Sequence, residues 1–157
     1  MGEGMRFFLI DRITKWEVGK CAEATKNIAL SEDFFDDHFP RRPVMPGVLM
    51  IEGMAQVSGL LLEASLAEKY GKDAKAVLTL LERTKFREVV RPGDVLRYET
   101  EMTALNENGG KVAVRAMRGE EVVVTSGMVF AFKYVEDSKL SEKRRALMAL
   151  WMSGSEG

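Results

Sequence analysis

Apolar residues are concentrated in one long run, residues 48–62, which reads VLMIEGMAQVSGLLL. These residues cover nearly the whole circumference of a helix, so the run predicts a helix that is buried on most sides. Pro46 and Gly47 precede the run, and proline is well tolerated in a first helical turn because its missing N–H needs no partner there. Gly71 is a candidate C-cap, which gives a helix of roughly 35 Å.

Two polar side chains, Glu52 and Gln56, interrupt the run one helical turn apart. They argue against a transmembrane span, which needs ~20 consecutive apolar residues. A buried carboxylate is unfavourable unless it is paired or protonated, so Glu52 is interpreted either as a structural hydrogen-bond acceptor or as a catalytic acid. The last turns of the helix, with Glu63, Glu68 and Lys69, are expected to be solvated.

After the helix, alternating apolar and polar residues predict a series of strands. They lie near residues 76–88, 94–105, 111–118 and 121–135. Glycine-containing segments at 106–110 and 118–120 predict the hairpin turns between the later strands. One buried helix followed by a meander of antiparallel strands predicts an α+β domain with a sheet wrapped around the helix.

The segments on either side of this pattern are less regular. Residues 6–13 predict a short amphipathic helix or an extended segment, residues 18–30 a strand, and residues 31–36 a helical turn. The domain is expected to span residues 1–135.

Residues 136–157 predict a helical extension that ends in a disordered tail, with Ser141 as a candidate N-cap. Its apolar side chains are expected to pack on the same subunit or on a dimer mate, and a membrane-surface contact is a weaker alternative.

Composition narrows the class of protein. The 157 residues include 46% apolar and 30% charged residues, with a net charge of −1, which fits one soluble domain and gives no sign of nucleic-acid binding. The single cysteine, Cys21, excludes an internal disulfide and a cysteine-rich metal site, and a half-buried strand thiol is expected there. No secretory signal is recognised at the N-terminus, so a cytoplasmic location is predicted.

The only histidine, His38, lies in a loop that contains Pro40, Pro43 and Pro46. Each proline restricts the residue before it, so the loop is predicted to be rigid and to fix the direction of the histidine side chain. A lone histidine usually has no catalytic task. This one directly precedes the rigid loop and the helix that carries Glu52, and that context favours a functional role.

The stretch HFPRRPVMPGVLMIEGMAQ closely resembles the signature of the hot-dog-fold β-hydroxyacyl-acyl-carrier-protein dehydratases of the FabZ type. FFLIDRI resembles the opening helix of that family, and LERTKFREVVRPGDVL resembles its later strand and turn. The similarity is collinear over roughly residues 6–134. Two positions depart from the family pattern, because Asp37 and Arg41 stand where glycine is usual. A sister type that also isomerises the double bond has Asp at the position of Glu52, which favours the plain dehydratase.

The resemblance implies the removal of water from a 3-hydroxyacyl thioester. His38 is then the candidate base, Glu52 protonates or orients the leaving hydroxyl, and the N–H of Gly47 binds the thioester oxygen. Gln56 is expected to position Glu52. The residues that are expected to line the acyl tunnel are Phe39, Met50, Met54 and Phe86.

The resemblance also implies a partner and an assembly. The substrate is expected on the phosphopantetheine arm of acyl carrier protein, and no metal or redox cofactor is expected. His38 and Glu52 are expected to meet across a homodimer interface, often within a trimer of dimers. The basic residues that are expected to contact the carrier protein are Arg41, Arg42, Arg83, Lys85, Arg87 and Arg91.

Two alternatives remain open. A hot-dog thioesterase would release free thiol from an acyl thioester and would not need the proline-containing loop. A non-catalytic acyl-carrier-binding scaffold protein would not need His38 or Glu52, and both are present.

Overall fold

The structure is a computed structural model that describes residues 9–32, 44–134 and 138–153. Within these ranges it contains six strands and two helices. Their bounds are β1 Arg12–Glu17, β2 Cys21–Asn27, α1 Gly47–Tyr70, β3 Lys75–Phe86, β4 Val95–Leu105, β5 Gly109–Arg118, β6 Glu121–Lys133 and α2 Ser138–Met152.

The strands form one antiparallel sheet in the order β1-β2-β4-β5-β6-β3. Strands β4, β5 and β6 are consecutive hairpins, as the turn residues predict. The prediction of a simple meander is wrong for β3, which pairs with β6 at the edge, while β2 pairs with β4. The reason is that α1 lies between β2 and β3 in the sequence. The helix crosses the sheet, so that the chain enters β3 at the edge beside β6.

The described part of the N-terminal region, which begins at residue 9, contains strands and no helix. Residues 9 and 10 precede β1, which forms a hairpin with β2, and Gly19 in the turn has a φ of 82°. The prediction of one strand over residues 18–30 is therefore wrong at its start, because this glycine turn separates two strands. Of the two alternatives for residues 6–13, the helix is wrong from residue 9 onward and the extended segment agrees with β1, which begins at Arg12. Residues 6–8 lie outside the described residues.

Helix α1 lies against the sheet and contacts β2 to β6. Met54, Val57 and Leu61 are completely buried on this side, and each such side chain stabilises the fold by about 1.5–3 kcal/mol. The predicted C-cap is confirmed: Gly71 has a φ of 66°, and its N–H donates to the carbonyl of Ala67. A curved antiparallel sheet around one long helix is the hot-dog arrangement.

The length and composition of α1 would also allow a membrane span, but 67% of its most apolar window is buried inside the protein. It is the core helix of a soluble domain.

Helix α2 packs against β1, and Trp151, only 2% exposed, joins the main core. The expectation that its apolar residues pack on the same subunit is confirmed for Leu147 and Met148 as well. Ser141 lies inside the helix, which begins at Ser138, so the predicted cap position is wrong. The predicted disordered tail falls mostly on residues 154–157, outside the described residues.

Helix α1 approaches the sheet closely at Gly53. A Cβ atom added there would lie 2.7 Å from Cε2 of Tyr98, a fully buried side chain, and 3.0 Å from the carbonyl oxygen of Leu9. At Gly59, on the same helix, the nearest atoms would be 3.8 Å away, an ordinary contact distance. Of these two glycines, only Gly53 is required by packing.

We therefore predict that Gly53→Ala lowers the free energy of unfolding by about 1–3 kcal/mol, because overpacking outweighs the gain in helix propensity. The matched variant Gly59→Ala should be neutral or stabilising by up to about 1 kcal/mol. Urea unfolding followed by circular dichroism measures both. Equal effects of the two substitutions would contradict the packing argument.

Candidate functional site

The proline-containing loop is described only at its C-terminal end. His38, Phe39, Arg41 and Arg42 lie outside the described residues, so their predicted roles stay predictions. The predicted helical turn at residues 31–36 is likewise described only at residues 31 and 32.

The last residues of the loop are fixed to the domain. The side chain of Met45 is buried, and its N–H donates to the carbonyl of Val90 at 2.7 Å. Pro46 has an extended backbone and is the N-cap of α1, so the helix begins at Gly47 as the sequence predicts. No side chain in the described part of the chain caps this helix end. The first N–H groups of α1, which carry the positive end of the helix dipole, are therefore not used by a capping side chain.

Gly47 lies directly against the ring of Phe86, the last residue of β3. A Cβ atom on Gly47 would lie 2.5 Å from Cε1 of this ring, so glycine allows the close contact. Phe86 is itself 53% exposed. The structure thus brings together two of the predicted site residues at the N-terminus of α1.

Glu52 is exposed, and the expectation of a buried carboxylate is wrong for the single chain. The sheet covers the side of α1 that carries Ile51 and Met54, whereas Glu52 lies on the opposite side with Val48, which is 72% exposed. Val48, Glu52 and Gln56 are spaced four residues apart and share one helix face. This face has a carboxylate but no sheet over it.

Gln56 is half-buried, and its Oε1 accepts a hydrogen bond from the N–H of Leu9 at 3.1 Å. This contact ties the N-terminal segment to α1. The predicted task of positioning Glu52 stays a prediction. Met50 and Met54 were expected beside the substrate, but both are buried in the core under the sheet.

A groove of about 710 Å³ runs beside the exposed face of α1. This volume is in the range of small-molecule sites. The groove is bounded by α1, by the start of β3, by Phe130 of β6 and by α2. Its lining includes Glu52, Gln56, Leu60, Leu78, Leu147 and Trp151.

Three of the predicted carrier-protein contacts, Arg83, Lys85 and Arg87, line a separate groove of about 1100 Å³. Acidic side chains line the same groove, so it has mixed charge. Glu99 is one of them. Burial alone would raise the pKa of its carboxyl group, but hydrogen bonds from Arg97 and Arg115 lower it overall.

Arg83 and Arg91, two of the predicted carrier-protein contacts, differ in their backbone settings. Arg83 has a φ of 50°, in the left-handed region that is unusual for a residue with a side chain, at an irregularity in β3. Arg91 is exposed on the loop between β3 and β4, and its N–H donates to Asp94.

Cys21 is half-buried on β2, as expected. Burial raises the pKa of its thiol, and so does the hydrogen bond to Glu17 at 3.2 Å. A protonated thiol is a poor nucleophile. Within the described ranges, no group of three His, Cys, Asp or Glu side chains is placed to hold a metal ion. The expectation that no cofactor is needed stays a prediction.

A buried ion pair was not predicted from the sequence. Glu63 is buried, not solvated: its Oε1 accepts from Arg144 of α2 at 2.6 Å, and its Oε2 accepts from the N–H of Ala76 at 2.8 Å. Arg144 also contacts Asp73 and the carbonyl of Ala74. Glu63 and Arg144 are 81 residues apart, and no local pattern connects them.

A family model and curated relatives both match this chain over most of its length. A family model described as FabA-like domain matches residues 2–127. The 3-hydroxyacyl-[acyl-carrier-protein] dehydratase FabZ of Clostridioides difficile is 43% identical over 125 residues, which cover 80% of this chain and 86% of that protein. The corresponding FabZ of Alkaliphilus metalliredigens is 45% identical over 125 residues, which cover 80% of this chain and 83% of that protein.

Solved structures show the same fold at low sequence identity. The smu.793 protein of Streptococcus mutans bound to acetyl CoA has a TM-score of 0.65 and 14% identity, over 86% of this chain and 98% of that one. The dehydratase heterocomplex ApeI:P of Xenorhabdus doucetiae has a TM-score of 0.66 and 14% identity, over 86% and 88%.

We predict that Arg144→Ala lowers the free energy of unfolding by about 3 kcal/mol, because it leaves the buried carboxylate of Glu63 without its charged partner. Lys143→Ala, at the exposed position on the other side of Arg144, should change it by less than about 0.5 kcal/mol. Chemical denaturation measures both. In a Glu63→Gln background the loss from Arg144→Ala should shrink, and an undiminished loss would show that the pair is not its cause.

Proposed function

This chain belongs to the FabA-like domain family, and we propose that it dehydrates (3R)-hydroxyacyl-acyl-carrier-protein to the trans-2-enoyl product in fatty-acid or related lipid synthesis. The observation that carries the proposal is the placement of Glu52. It is a carboxylate on the uncovered face of α1, beside a groove, one and a half turns from the helix N-terminus. The FabZ relatives and the retained motif around His38 support the same activity.

The reaction needs a base, an acid and a stabiliser of negative charge. We assign the base to His38, which takes a proton from the α-carbon, because histidine exchanges protons near neutral pH. Electrons from that C–H bond form the new double bond as the hydroxyl group leaves. Glu52 supplies the proton with which the hydroxyl departs as water.

The stabiliser that we propose is the N–H of Gly47. Charge develops on the thioester oxygen when the α-proton leaves, and a backbone N–H at a helix N-terminus is well suited to it. The lack of a capping side chain in the described residues supports this assignment. Phe86, packed on Gly47, would shield the oxygen from water, and Phe39 would contribute to the acyl site.

We also propose that the active unit is a homodimer. The two edges of the sheet are β1 and β3, and α2 packs against β1. Strand β3 exposes Leu80, Leu81 and Phe86, which an unpartnered edge strand rarely does. Pairing of two β3 edges would cover them, and the resemblance suggests that His38 of one chain then meets Glu52 of the other. A hexamer built from three such dimers is the larger assembly that we propose.

The substrate carrier that we propose is acyl carrier protein, with the acyl group on its phosphopantetheine arm. Arg83, Lys85, Arg87 and Arg91 are exposed on β3 and on the segment that follows it, next to the proposed dimer edge. Together with Arg41 and Arg42 they would attract an acidic carrier. No further cofactor is required for this chemistry, and a cytoplasmic location is proposed.

We predict that the wild-type protein hydrates crotonyl thioesters, the reverse reaction, and that His38→Ala and Glu52→Gln each lower kcat by about 10²–10⁴-fold. Loss of enoyl absorbance measures the rate. Unfolding curves show whether each variant is folded, and Glu68→Gln, an exposed glutamate on the same helix, is the matched control that should keep full activity.

Two other outcomes would overturn this assignment. Release of free thiol from the wild-type reaction would indicate a thioesterase. No reaction with either crotonyl thioester or a carrier-linked substrate, together with carrier binding, would indicate a non-catalytic scaffold.

A second prediction tests the shared site. Mixed dimers of a His38→Ala chain and a Glu52→Gln chain contain one intact site, because the two lesions fall together in the other site. Random mixing should restore roughly a quarter of wild-type activity, since half of the dimers are mixed and each has one working site of two. Co-refolding of the two inactive variants, followed by the crotonyl assay, measures it. Mixtures as inactive as the separate variants would show that each site is built within one chain.

A further inference from the structure

Helix α2 lies beyond the part of the chain that the family model matches, which ends at residue 127. It is nevertheless firmly attached to the domain. Arg144 binds Glu63 on α1 and also Asp73 and the carbonyl of Ala74, just before β3, while Trp151 is buried in the core. The ion pair and the buried ring together fix the position of α2 relative to α1 and the start of β3.

The groove beside α1 connects this added helix to the proposed catalytic carboxylate. Along α1 its lining extends from Glu52 through Gln56 and Leu60 to Glu63. This is about 16 Å along the helix axis, at ~1.5 Å per residue. Glu52 lies at one end, and the ion pair between Glu63 and Arg144 lies at the other.

The walls of the groove change character along its length. The end near Glu52 is polar and close to the proposed chemistry. Toward α2 the walls include the apolar side chains of Leu60, Leu78, Phe130, Leu147 and Trp151, together with the charged residues Lys75, Lys143 and Arg144. The apolar part of this wall suits an unbranched hydrocarbon better than a peptide, because burying unpaired backbone groups against apolar side chains is unfavourable. In the groove wall, the N–H of Ala76 already donates to the carboxylate of Glu63, so this pair is not available to a peptide backbone.

We propose that α2 closes the distal end of the acyl-binding groove, and that Leu147 and Trp151 set the longest acyl chain that the enzyme accepts. The inference rests on the proposed function, since it assumes that the reacting carbons lie at Glu52. The acyl chain then runs along α1, and its methyl end meets Leu147 and Trp151. A chain that is too long has no space beyond them, because Arg144 and Glu63 fill the end of the groove.

The test compares hydration of enoyl thioesters of increasing acyl length, from crotonyl to hexadecenoyl, by wild type, Leu147→Ala and Leu147→Trp. The measured quantity is the ratio of kcat/KM for long over short substrates. Leu147→Ala should raise this ratio and Leu147→Trp should lower it, by roughly fourfold for each methylene group that gains or loses a contact.

Leu150→Ala is the matched control, because Leu150 lies on the same helix, is exposed and does not line the groove. Its length profile should equal that of wild type. Identical profiles for Leu147→Ala, Leu147→Trp and wild type would overturn the inference while leaving the dehydratase assignment intact.

A binding measurement separates the inference from the proposed activity. The chain has two tryptophans, Trp16 and Trp151, so a Trp16→Phe background reports on the groove alone. Saturated long-chain acyl thioesters should shift the emission of Trp151, and acetyl thioester should not. If the enzyme does not hydrate any enoyl thioester but this length-dependent shift is seen, the groove assignment stands and the dehydratase assignment fails. An absent or length-independent shift overturns the groove assignment.

Discussion

The burial of one side of α1 against a single curved sheet is the constraint on which the rest of the structure depends. Met54 and Leu61 are completely buried on that side, and at Gly53 the helix approaches Tyr98 so closely that no side chain fits. A single-layer sheet can cover only part of the circumference of a helix. The other side of α1, with Val48 and Glu52, remains uncovered by the sheet, and the carboxylate of Glu52 is available there without being buried alone.

Features that depend on neighbouring residues in the chain could be predicted from the sequence. Pro46 and Gly71 delimit α1 because one lacks an N–H and the other tolerates a positive φ, and both effects act within a single turn. The hairpins after β4 and β5 follow from glycine-containing turns. Family membership also followed from a local stretch, because the residues around His38 form a long and specific motif.

What the sequence could not predict is decided by distant contacts. The apolar run of α1 covers the helix all round, so hydrophobicity does not show which side the sheet takes, and Glu52 was wrongly expected to be buried. Glu63 looked solvated because its partner, Arg144, lies 81 residues later on another helix. The placement of β3 beside β6 follows from the path of the chain across the sheet, which strand patterns alone do not encode.

The two halves of the side of α1 that the sheet leaves uncovered differ in their contacts with α2. Helix α2, which packs against β1, reaches the half near Glu63 through the ion pair of Arg144. The half near Val48 and Glu52 is left open in the single chain, although an exposed valine is unfavourable there. The proposed site, which takes one group from each of two chains, requires this arrangement, because an α2 helix placed over Val48 and Glu52 would exclude the proposed partner. An extension that leaves the proposed shared site accessible therefore has to lie at the distal half of the helix, near Glu63. That is also the half where it can limit the length of an acyl chain.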